Sequence, residues 1–212
     1  MNRAWRILAG AAAFALLARG EGNLVANGDF ETGAAGVPAA WDKPDGLGVA
    51  WDGAPGRQGR AIRLDTSVSE QAMQTSWART GLTNQWSIPK PAGNAIADTY
   101  GLSYYSSSFP CVSGATYRVA CDTRGPGPVK VWVRGYGPFR GRRVRRYEAV
   151  MNCAPGAGAW RTTTMEFNPT ARRPEVDELR VMLYAWYPAG VYWFDRVRVE
   201  RIDAAPAAAG RE

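Results

Sequence analysis

Apolar and polar positions alternate through the second half of the chain. Val129, Val131 and Val133 share one parity while Lys130, Trp132 and Arg134 share the other, as in a strand with one buried face. The same reading places strands at Thr116 to Cys121, Tyr147 to Cys153, Trp160 to Phe167, Leu179 to Trp186 and Val191 to Ile202, with Tyr100 to Ser107 β-prone. Turn formers separate them, at Pro110 to Gly114 and at Thr123 to Gly127. Nearer the start, a short apolar strand from Asn23 meets the tight-turn pair Asn27-Gly28, and Arg60 to Leu64 reads as a strand ending at Asp65. Residues 66 to 98 break the pattern. Ser67 with Glu70 makes a capping box, Val68, Ala72, Met73 and Trp77 lie along one helical face, and Gly81 can close the helix. About eight strands at this spacing predict an all-β protein, an antiparallel β-sandwich with one short inserted helix, and not a βαβ fold. The sandwich domain is expected over residues 21–203, followed by an unstructured Ala/Pro/Gly-rich tail over 204–212.

The first twenty residues have the layout of a signal peptide. Arg3 and Arg6 flank Trp5, an apolar run follows from Ile7 to Leu17, and Ala18, Arg19 and Gly20 offer a cleavage region. The run is too short for a membrane span of ~20 apolar residues. Cys111 is the first cysteine, which removes a lipid anchor, so the expected location is secreted or periplasmic. Loss of the leader lowers the formal charge from +7 to about +4.

Composition narrows the chemistry. There is no histidine, which excludes His-based triads, His general bases and His-containing zinc sites. Cys111, Cys121 and Cys153 allow one disulfide with three possible pairings, or serve as small buried hydrophobes; their spacing is no metal motif. Arg134, Arg140, Arg142, Arg143, Arg145 and Arg146 fall close together beside Tyr136, Phe139 and Tyr147, which superficially suggests a nucleic-acid surface. Export argues against nucleic acid as the partner. An acidic polysaccharide would suit the same guanidinium forks. A solvated hairpin explains the cluster more simply, because 23 of the 26 basic residues are arginine.

Four segments and one tryptophan, in order, resemble carbohydrate-binding modules of the galactose-binding-like jelly-roll superfamily. They are Asn23 to Gly33 with nearby Trp41, Gly56 to Leu64, Val112 to Val119, and Val191 to Val199. The resemblance runs from about Asn23 to Ile202, interrupted by residues 66 to 98. It implies a jelly-roll sandwich, a polysaccharide or glycan as partner, and a structural calcium. The carboxylates that match the calcium ligands by position are Glu31 and Asp195, with carbonyls of residues 56 to 60 and waters completing the shell.

A glycan needs a flat apolar platform and planar polar groups for its hydroxyls. Trp132, Arg134 and Tyr136 share the parity opposite to the valines, and Tyr184 and Trp186 the parity opposite to Leu179, Val181 and Leu183. Tyr104 and Tyr147 are candidates to join them. An alternative is that the insertion, with Trp77 and Trp86, covers that face and makes the aromatics core. The function read is an exported, non-catalytic glycan-binding module. The runner-up is a structural or protein-interaction sandwich. An enzyme reading, a jelly-roll lyase or glycosidase, has only Glu148 and Glu166 as a carboxylate pair.

Overall fold

The computed structural model of the chain describes residues 22–80, 94 and 96–202. The expected signal peptide over 1–20, Gly81, Trp86, the Trp77 side chain and the expected tail over 204–212 lie outside the described residues. In chain order come β1 (Gly33–Ala34), β2 (Val37–Pro38), β3 (Val49–Gly53), β4 (Arg60–Asp65) and α1 (Glu70–Thr80). A π-helical turn (Ile96–Tyr100) leads into β5 (Leu102–Tyr105), β6 (Phe109–Pro110), β7 (Thr116–Arg124) and β8 (Val129–Phe139). The chain then forms β9 (Arg142–Cys153), β10 (Arg161–Phe167), β11 (Glu178–Ala185) and β12 (Val191–Ile202). One sheet has the order β10-β7-β12-β4-β3 and the other β5-β11-β8-β9, with β6 also on β11. The strand pairs are antiparallel. The predicted antiparallel sandwich and its inserted helix are therefore present.

The core lies between the sheets. Ile62, Leu64, Val119, Tyr192 and Phe194 enter it from the first sheet, and Val131, Val133, Val181 and Leu183 from the second, all fully buried. Each such side chain contributes roughly 1.5–3 kcal/mol. The alternation on β8 holds, since the three valines are buried and Lys130, Trp132 and Arg134 are half-buried on the far side.

Local details depart from the sequence reading. Asn23 to Val25 form no strand; they hang on β12 through Asn23 Nδ2 to the Val197 carbonyl (2.8 Å) and the Leu24 amide to the Val199 carbonyl (2.8 Å). Helix α1 starts later than the capping box at Ser67 predicts. Asp65 Oδ1 takes both the Ser67 amide (3.0 Å) and hydroxyl (2.5 Å), so Ser69 caps instead, accepting the Ala72 amide at 3.2 Å. Strand β3 and the π-helical turn were not predicted from the pattern.

The three cysteines are free thiols. Cys121 and Cys153 are buried, and burial pushes the Cys121 thiol well above its ordinary value and that of Cys153 up to about 11. Burial also raises half-buried Cys111, less strongly opposed by the Tyr117 hydroxyl. Because the thiolate is the nucleophile, iodoacetamide at neutral pH should modify Cys111 slowly and the other two only after denaturation. Native-state labelling of Cys121 or Cys153, read by peptide mass, would contradict this packing.

Candidate functional site: the outer face of the β5-β11-β8-β9 sheet

Register decides which side chains meet on this face. Tyr184 of β11 lies opposite Lys130 of β8, which lies opposite Asn152 of β9. In the next row Tyr105 of β5, Met182, Trp132 and Val150 line up, and in the next Arg180, Arg134 and Glu148. Trp186, just past β11, stacks on Tyr184 with ring centres 5.5 Å apart and planes at 22°. The face thus brings together Trp132, Arg134, Tyr184 and Trp186. Tyr136 keeps the outward parity but stands beyond a bulge at Gly135/Tyr136, opposite Glu178 and Arg145.

Two candidates are displaced. Tyr104 faces the core, not the sheet's outer side: it pairs with buried Leu183, is itself 3% exposed, and stacks on Trp41 at 5.7 Å. Its neighbour Tyr105 takes the outward position. Tyr147 packs at the edge of the core beside Phe167, with ring centres 6.4 Å apart. The signal for Tyr105 was available only through register, because either of two adjacent tyrosines satisfies an alternating pattern.

Cations are interleaved with the rings. Lys130 Nζ lies 5.1 Å from the Trp186 ring centre and 5.9 Å from that of Trp132. The Arg134 guanidinium is 5.7 Å from Trp132 and 5.6 Å from Tyr105, and Arg180 is 4.8 Å from Tyr105. Arg134 Nη1 donates to Tyr105 Oη at 2.7 Å. Its Nε is 3.1 Å from Glu148 Oε1, an ion-pair distance, yet the N–H has no acceptor in hydrogen-bonding geometry. Trp132 Nε1 is likewise a buried donor without an acceptor among the described residues. At one margin the π-helical turn touches the face, where Tyr184 Oη donates to the Tyr100 carbonyl at 3.0 Å.

The arginine-rich hairpin is threaded with carboxylates. Glu148 receives both Arg134 and Arg145 (2.9 Å), Arg146 pairs with Glu175 (2.7 Å), and Arg143 pairs with Asp177 and with Glu178 (3.1 Å). The candidate carboxylate pair of a glycosidase does not form a site. Glu148 points out from the second sheet, whereas Glu166, on β10 and bound to Arg118 at 2.7 Å, points out from the first. The sandwich stands between them, so they cannot flank one bond.

Glu31 and Asp195 lie near the loop that joins β3 to β4, but that loop turns donors toward them. Glu31 Oε1 accepts the Arg60 amide at 3.0 Å, and Gly59 (φ +92°) passes so close that a Cβ there would lie 2.0 Å from the same oxygen. Asp195 is buried and sits directly opposite Asp122 across β12 and β7. Arg57 Nη1 bridges them, 2.8 Å from Asp122 Oδ2 and 3.0 Å from Asp195 Oδ2. Thr162 donates to Asp122 at 2.6 Å and the Arg196 amide to Asp195 at 2.6 Å. The guanidinium is seated 3.9 Å from the Trp160 ring centre. Calcium needs six to eight oxygen acceptors, and among the described residues no three acidic, His or Cys side chains are placed to hold a metal. The residues present do not fit the ion: a guanidinium already stands between the aspartates, where the cation would have to sit.

No family model matches the chain, and no curated protein matches it. Solved structures do. An arabinose-bound α-L-arabinofuranosidase matches with a TM-score of 0.51 at 14% identity, over 85% of this chain and 26% of that one. The chain therefore spans about a quarter of that enzyme. A family 16 carbohydrate-binding module matches at a TM-score of 0.47 and 13% identity, over 84% of this chain and 99% of that one. A module in complex with β-1,4-galactotriose matches at 0.46 and 14%, over 85% and 99%. The shared feature is the antiparallel β-sandwich fold. The likeness is one of fold. No described helix is long and apolar enough to cross a membrane.

Proposed function

We propose that this chain is an exported carbohydrate-binding module that takes a glycan on the outer face of the β5-β11-β8-β9 sheet and catalyses no reaction. The observation that carries the reading is the outward group of Trp132, Tyr184 and Trp186, from neighbouring rows of a sheet whose other side is core. Three half-buried aromatics on one rigid face offer flat area for the C–H side of a sugar ring, while Arg134 and Asn152 supply groups for its hydroxyls. The jelly-roll likeness and the leader support the same reading.

An aromatic stacked on a ring is worth on the order of 1–3 kcal/mol, by analogy with stacked bases. Trp186→Ala and Trp132→Ala, made in the form lacking residues 1–20, should each weaken a glycan found on an array at least several-fold while the melting transition stays cooperative. Loss of the ~3–5 kcal/mol expected of a core tryptophan, with no glycan bound by the parent protein, would replace this reading by that of a structural or protein-binding sandwich.

A further inference from the structure

On the reading that a glycan binds this face, we infer that the ligand is an acidic glycan whose carboxylate or sulfate oxygens meet Lys130. The argument is one of charge and donor inventory. Lys130 is central on the face, half-buried between the Trp132 and Trp186 rings, and finds neither a carboxylate nor any hydrogen-bond acceptor among the described residues. An ammonium has three donors and no acceptor capacity.

A sugar lying across these two indoles strips water from that ammonium. For a neutral ligand the lost hydration is offset only by hydroxyl oxygens; an anion offsets it with a charge-assisted bond.

The surrounding charges do not supply the missing anion. Arg134 and Arg145 share the single carboxylate of Glu148, and Arg180 is held by Asp42. Asn152, opposite Lys130 on β9, is a neutral amide and brings no charge. Trp132 Nε1 and Arg134 Nε are buried without an acceptor among the described residues, and both come from the same strand as Lys130. Lys130, Arg134 and Arg145 thus face the one carboxylate of Glu148, and this positive excess selects an anion over a neutral chain.

A uronic acid and a sulfate ester share this chemistry, and matched probes separate them. The experiment is a binding series with the parent protein, Lys130→Gln, Lys130→Arg and Trp186→Ala. The panel holds oligogalacturonate with its methyl ester and a sulfated galactan with its desulfated form, alongside a broad array of neutral and acidic glycans. The expected result is that acidic members bind about tenfold or more tightly than their neutral partners. That advantage should shrink as salt is raised, vanish in Lys130→Gln and persist in Lys130→Arg.

Trp186→Ala should lower binding of every member, and the arm that gains identifies carboxylate or sulfate. Equal or tighter binding of neutral members, unaffected by Lys130→Gln, overturns the inference while leaving the module reading in place. Failure of the parent to bind anything on the array overturns the module reading itself. A thermal melt of Lys130→Gln matching the parent keeps loss of fold out of the comparison.

Discussion

Arg57→Ala is expected to cost about 3–5 kcal/mol of stability, the range seen when one partner of a buried ion pair is removed. Asp122 and Asp195 are cross-strand neighbours, both buried, and like charges placed directly opposite repel. In the native protein one guanidinium nitrogen sits within 3.0 Å of both carboxylates. Without it, Thr162 and the Arg196 amide still donate one bond each, and the one charge left nearby is the exposed Arg196 guanidinium, 3.9 Å from Asp122 Oδ2. The loop also loses its anchor, because the guanidinium lies against Trp160, whose indole N–H holds the Pro55 carbonyl at 2.8 Å. Urea denaturation of parent and variant reads the difference.

Two conditions sharpen the test. First, the parent's melting temperature should be the same in EGTA and in calcium, whereas Arg57→Ala should gain stability when calcium is added, since a cation can then enter between the aspartates. A parent that melts lower in EGTA would mean that a metal, and not Arg57, braces this corner. Second, burial raises the Asp195 carboxyl above its ordinary value despite the opposing Arg196 amide and Arg57. A raised carboxyl binds its proton more tightly folded than unfolded. Its stabilising contribution is therefore present below the unfolded value near pH 3.9 and is lost as pH rises through the folded one. Removing Arg57 raises that carboxyl further. The variant's deficit should accordingly narrow as pH is lowered from 7 toward 4.

The sandwich was legible because its signal is local. Val129, Val131 and Val133 need no partner to declare which way they face, and the turn formers at 110–114 and 123–127 mark where strands stop. What depended on long-range pairing was not legible. Val49 to Gly53 is too short and mixed to read as a strand alone; it becomes one by pairing with β4. Ser67 has the right spacing to cap a helix, yet Asp65 captures it first. Glu31 and Asp195 are near the loop expected to bring carbonyls, but whether residues 56 to 60 offer acceptors or donors is decided by side-chain placement. An arginine at 57 aimed at two aspartates reverses the electrostatics of the corner. On the outer face, Trp132, Arg134, Tyr184 and Trp186 followed from parity, while the cation interleaving required the register of three strands.

Tyr104 and Tyr105 make the sharpest test of that register, because adjacent residues of one type should behave in opposite ways. Tyr104 is 3% exposed, stacks nearly parallel (7°) on Trp41, and donates its hydroxyl to the Asp42 carbonyl. Burial, helped by the nearby Asp42 charge, holds its phenol well above the ordinary value, so it stays a neutral donor. Tyr104→Ala should therefore cost about 3–5 kcal/mol, as for other large aromatic truncations in cores. Tyr104→Phe keeps the ring and should cost only about 1–3 kcal/mol, the penalty for leaving the Asp42 carbonyl without its donor. Tyr105 points outward, with Arg134 and Arg180 against its ring. Tyr105→Ala should stay within about 1 kcal/mol of the parent in urea denaturation, the scale of two partly exposed cation–π contacts. Its effect should appear in glycan binding, because Arg134 loses the hydroxyl that positions it. A Tyr105→Ala variant that unfolds early beside a Tyr104→Ala variant that melts like the parent would mean β5 is shifted by one residue on β11. Leu183 would then face a different tyrosine, and the aromatic face would have to be redrawn.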